Sequence, residues 1–134
     1  MKRISTLIIL FLSITFGFSQ EKNSKLTPLE IVNKRMASYN SHDFQEFIKL
    51  YADDVEIYTY PNQLLATGTD NLASIFEPKF AAKSIKVEIV SQMNNGNYVI
   101  NHEIVTEEGK DTKYVSIYEV INGLIKTVKF VRDK

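Results

Sequence analysis

Apolar positions along this chain change their spacing twice, and the two changes divide it into elements. Leu29, Val32, Met36 and Tyr39 recur at intervals of three and four, which predicts one buried face of a helix ending near Asn40. Thr27, Pro28, Leu29 and Glu30 form a capping box at its start, with proline at the first helical position, and Arg35 borders the stripe. Asn40 to His42 read as a loop. Asp43 is placed to cap a second helix carrying Phe44, Phe47, Ile48 and Tyr51. Asp53 and Asp54 then close the helical segment, and Val55 to Tyr60, rich in β-branched and aromatic residues, predicts a strand stopped by Pro61 and Asn62. Gly68 follows in a loop. Asp70 is expected to cap a third helix with Leu72, Ile75 and Phe76 on one face, and Pro78 to kink or end it before Phe80 and Ala82.

From Ser84 the period falls to two. Ile85, Val87 and Ile89 alternate with Lys86 and Glu88, and Asn95-Gly96, Glu108-Gly109 and Asn122-Gly123 punctuate four runs that end at Val131. Asn-Gly between alternating runs is a strong hairpin signal, so these four strands read as an antiparallel meander. Helix, helix, strand, helix and four strands make an α+β domain with helices packed on one face of a strongly curved sheet.

Before that domain, Lys2 and Arg3 precede an apolar run from Leu7 to Phe16, with small residues at Gly17 and Ser19. This is the pattern of a secretory signal peptide over residues 1–19, and it implies export to the periplasm or the medium. The run is shorter than the ~20 residues a membrane-spanning helix needs, so no membrane association is expected of the mature form. Residues 20–26 are polar and aperiodic, a flexible leader, and residues 27–134 form one domain.

The 134 residues carry 16 basic and 16 acidic side chains without blocks of either sign, which argues against nucleic acid as a partner. There is no cysteine, so disulfides, a thiol nucleophile and a cysteine-linked lipid anchor are excluded. The two histidines, His42 and His102, have no ligand-like spacing, and the five glycines are isolated. No metal, cofactor or phosphate-binding loop is therefore expected.

Tyr39-Asn40 and His42-Asp43 before the second helix, Phe47 with Tyr51-Ala52-Asp53-Asp54-Val55, Pro61 with Gly68, and Tyr118 to Lys126 resemble the nuclear transport factor 2-like superfamily. Within it they resemble the SnoaL-like proteins related to ketosteroid isomerases. The resemblance covers about residues 27–132 and implies a cone: three N-terminal helices packed on a curved, mostly antiparallel sheet, with a pocket between them and a homodimer through the sheet's outer face. It implies no single activity, since the scaffold hosts many. Matched from Tyr51-Ala52-Asp53-Asp54, the isomerases' general-base aspartate falls at Thr59, their oxyanion-hole tyrosine at Arg35 and their second acid near Ser116. None of the three is retained, so that mechanism is not expected.

Alternation and the resemblance together turn Tyr98, Ile100, His102 and Ile104 inward, with Tyr114, Ser116 and Tyr118 beside them and Val128 and Phe130 on the last strand. Arg35, Tyr39, Tyr58 and Thr59 would close the ring. The expectation is an apolar cavity with a few polar groups, taking a small hydrophobic or aromatic ligand. His102 then reads as a ligand contact that gives the cavity polarity with Arg35 and Ser116, as an acid or base with Arg35 stabilising negative charge, or as a core residue hydrogen-bonded to Ser116 or a tyrosine. Asp53 and Asp54 read as a turn and cap before a catalytic pair, and His42 as an exposed loop residue. A ligand-binding protein, an isomerase-, cyclase- or hydratase-like enzyme, and a dimeric interaction module remain as functions.

Overall fold

The computed structural model describes residues 25–133. The expected signal peptide and most of the leader lie outside the described residues. Helix α1 spans Pro28–Asn40, and its capping box forms reciprocally: the Glu30 amide donates to Thr27 Oγ1 at 3.2 Å and the Thr27 amide to Glu30 Oε2 at 2.8 Å. Helix α2 is Phe44–Ile48, capped by Asp43, which accepts from the Glu46 amide at 3.2 Å. Strands β1 (Tyr51–Thr59) and β2 (Gln63–Thr67) follow, then α3 (Thr69–Ala82), β3 (Ile85–Asn95), β4 (Tyr98–Glu107), β5 (Lys110–Ile121) and β6 (Leu124–Arg132). Two helices thus precede the first strand, and the third enters only after β2.

The six strands lie in the order β2-β1-β6-β5-β4-β3. Every neighbouring pair is antiparallel except β1 with β6. The helices pack on one face, where Tyr39, Phe47 and Phe80 meet; the Phe47 and Phe80 ring centroids lie 4.8 Å apart and those of Tyr39 and Phe80 5.5 Å.

Several local expectations are corrected. Tyr51 opens β1 instead of closing α2, and Asp53 and Asp54 lie within that strand, exposed, where its register with β6 slips between Tyr51 and Glu56. Asp54 pairs there with Lys126. Strand β2 was not expected, because Gln63–Thr67 has three exposed residues in succession and buries Ala66 alone. Helix α3 starts from Gly68, whose φ of 84° suits glycine, while Asp70 sits in the first turn, where its charge favours the helix N-terminus. Pro78 stays inside α3. Phe80 anchors the turn beyond it against Tyr39, Phe44 and Phe47, so tertiary packing carries the helix past the residue that propensity would end it on.

The most consequential correction is the parity of β4. Val99, Asn101 and Glu103 are the buried residues of that strand, opposite Tyr118, Ser116 and Tyr114 of β5. Tyr98, Ile100, His102 and Ile104 belong to the other face. The inward column is polar at two positions and the outward one is apolar at two, so alternation read for hydrophobicity alone gives the inverse answer. Hydrogen bonding reconciles the inversion, since Gln92 donates to Asn101 at 2.8 Å and Asn101 donates to Glu103 at 3.3 Å.

Candidate functional site

Helices α1 and α3 and the helix-facing side of the sheet line a cavity of about 290 Å³. Its walls are largely apolar: Leu65, Phe76, Val87, Val105, Phe130 and the rings of Tyr39 and Tyr114, with Thr59 at one side. Arg35 and Glu103 supply charge inside it, and Lys79, Glu107 and Arg132 also line it.

Arg35 projects inward because it falls one turn before Tyr39 on the buried face of α1. It is 3% exposed. Its guanidinium carbon stands 5.2 to 5.6 Å from the ring centroids of Tyr118, Phe47 and Tyr39, an aromatic box that favours a cation. Nε donates to the Tyr51 hydroxyl at 2.6 Å. Burial alone would weaken the guanidinium's hold on its proton, but Tyr118, Tyr51 and Glu103 outweigh it, so the group is held firmly cationic.

Glu103 is 1% exposed and reaches the same cavity from β4. Its Oε1 accepts from Ser116 Oγ at 2.6 Å and from the Tyr118 hydroxyl at 3.2 Å, and its Oε2 from Asn101 at 3.3 Å. Burial pushes the Tyr118 and Tyr51 phenols up from their ordinary range, which keeps both protonated, Tyr118 donating to Glu103 and Tyr51 accepting from Arg35. Arg35 and Glu103 nevertheless make no direct ion pair with each other. Tyr118 links them instead, its ring beneath the guanidinium and its hydroxyl on the carboxylate. Lys79 and Glu107 do pair, at 3.0 Å.

Of the residues expected around the cavity, Arg35, Tyr39, Thr59, Tyr114 and Phe130 line it. Ser116 and Tyr118 lie fully buried beneath it and hold Glu103. His102 and Tyr58 are elsewhere. His102 pairs in register with Val115 on the outer face of the sheet, beside Lys113 and Val131, and has no route to act as acid or base in the cavity. Tyr58 is also turned outward, its hydroxyl on Glu56 and its ring under the Lys129 ammonium at 5.4 Å. His42 is part-buried, and its Nε2 lies 2.8 Å from the Ile85 carbonyl.

Glu103 is a cavity residue the sequence reading missed, as are Lys79, Glu107 and Arg132, although a signal for Glu103 exists. The two-residue turn at Glu108-Gly109 pairs Glu107 with Lys110, and counting back along the ladder puts Glu103 opposite Tyr114. Turn register, weighted above hydrophobic alternation, would have placed a carboxylate among the inward tyrosines. Among the described residues, no group of three or more His, Asp and Glu side chains is gathered as a metal site.

A family model for the SnoaL-like domain matches residues 32–128, most of the folded part of the chain. This chain belongs to the SnoaL-like family. Solved structures place it in the nuclear transport factor 2-like fold. A nuclear transport factor 2-like protein of unknown function from Cytophaga hutchinsonii superposes with a TM-score of 0.72 at 16% identity, over 83% of this chain and 94% of that one. A structure described provisionally as a polyketide cyclase, from Pseudomonas putida, gives 0.65 at 18% identity, over 81% and 92%. A computationally designed 17-OHP binder gives 0.68 at 17% identity, over 81% and 95%. No curated protein matches the chain significantly. At these identities the likeness is one of fold.

Proposed function

We propose that this SnoaL-like domain binds a small hydrophobic or aromatic molecule in the cavity between α1 and the sheet, with a polar group of the ligand meeting Arg35. One observation carries the reading: aromatic and aliphatic walls close over a buried guanidinium that has no direct carboxylate partner. A pocket with apolar walls and few convergent polar groups is the usual form of a small-molecule site. The designed binder of the same fold supports it by analogy.

The presence of Glu103 in the cavity favours a second reading, an isomerase- or cyclase-like enzyme in which that carboxylate exchanges a proton with the ligand while Arg35 stabilises developing negative charge. Under this reading the acid or base is Glu103, and His102 has no part in it.

A thermal-shift screen against aromatic acids, phenols, fused-ring ketones and fatty acids tests the binding reading, run on the wild type and on Val105→Phe. The larger ring fills the cavity from β4, so ligands that raise the wild-type melting temperature are expected to lose their effect on the variant. A hit that stabilises both proteins equally binds elsewhere and removes the cavity from the function.

A further inference from the structure

Arg35 and Glu103 line one cavity without pairing, and what this implies for ligand choice rests on the binding reading above. Arg35 uses Nε on the Tyr51 hydroxyl and Nη1 on the Met36 sulfur at 3.6 Å, and among the described residues nothing accepts from Nη2. No fully buried side-chain nitrogen or oxygen in those residues lacks a partner, so Nη2 opens onto the cavity that Arg35 lines. Glu103 faces the same space. It carries no proton donor from Arg35, although both groups are almost wholly shielded from water and Tyr118 touches both. Both groups line the cavity without bonding each other, so a ligand group that reaches both can complete their hydrogen bonds at once.

We infer that the cavity recognises a neutral group that is both acceptor and donor, a hydroxyl, phenol or enol, seated between Arg35 Nη2 and the Glu103 carboxylate, and that it discriminates against a free carboxylate. The oxygen lone pair of such a group accepts from the guanidinium, and its hydrogen is donated to Glu103. A carboxylate satisfies Arg35 equally well but brings a second negative charge to Glu103 with no hydrogen to donate. A methyl group in the same place leaves both buried charges without a new partner, and sites built to hydrogen-bond a hydroxyl reject analogues lacking it strongly.

Calorimetric titration of the purified protein with 4-tert-butylphenol, 4-tert-butylbenzoate and 4-tert-butyltoluene, which share one apolar body and differ in the para group, tests this. The phenol is expected to bind at least about tenfold more tightly than either analogue. Glu103→Gln removes the negative charge, so the benzoate is expected to gain on the phenol; a merely structural effect would weaken both alike. Benzoate binding as tight as phenol binding in the wild type would overturn the inference and leave the cavity as a binding site. Binding of none of the three, together with an empty thermal-shift screen, would remove the cavity reading and this inference with it. The wild-type preference stands as a test even where the variant fails to fold.

Discussion

Tyr39 carries a proton that the unfolded chain would surrender sooner. Burial pushes its phenol up to about 12, with the Arg35 guanidinium acting in the opposite sense. Because the folded state holds this proton more tightly than the unfolded state does, the associated stability is complete below the ordinary tyrosine range near pH ~10 and is lost as pH rises towards 12. Tyr51 and Tyr118 shift in the same direction for the same reason. Urea midpoints measured from pH 9 to pH 11 should therefore fall on the alkaline side, and Tyr39→Phe should make that fall shallower without abolishing it. An identical slope in the variant would mean that the Tyr39 phenol is not held in this way.

Strand β3 is one edge of the sheet, and the corner between α1 and α2 closes the start of that edge. Asn40 behaves there as a short piece of partner strand: its Nδ2 donates to the Val87 carbonyl at 2.9 Å and its Oδ1 accepts from the Val87 amide at 2.7 Å. His42, held at a φ of 57°, adds its contact to the Ile85 carbonyl. The loop that looks like a mere connection in the sequence thus occupies backbone groups that would otherwise template aggregation. Further along β3 a register slip between Ile89 and Ser91 interrupts the open edge. Asn40→Ala should lower stability by about 1–3 kcal/mol, because it strips two hydrogen bonds from a part-buried backbone. Chemical denaturation measures the loss, and light scattering at the transition should show earlier self-association. Neither change in the variant would mean that the clasp is incidental.

At the scale of the whole molecule, the fold class and the order of elements apart from β2 were legible because helical and strand periods alternate cleanly and Asn-Gly marks the hairpins. Tyr39 was legible as a cavity residue from the apolar stripe of α1, and Arg35, which borders that stripe, from its match to the isomerases' oxyanion-hole tyrosine. Glu103 was not, because a buried carboxylate contradicts the hydrophobic pattern from which parity is read, and only its partners Ser116, Tyr118 and Asn101 make its position stable. Short β2 lacked any periodic signal. The aromatic enclosure of Arg35 and the burial of Glu103 also shield these two groups from the ions of the medium. Counterions screen exposed charges over about 10 Å at 0.1 M salt but act far less on charges shut inside a protein. A neutral ligand seated between these two groups should hold its affinity from about 50 mM to about 500 mM salt. A steep decline across that range in the same titrations would place the decisive contacts on Lys79 and Arg132 at the cavity's edge. Ionic strength thus becomes a ruler for depth, reporting how far inside the cone the ligand is read.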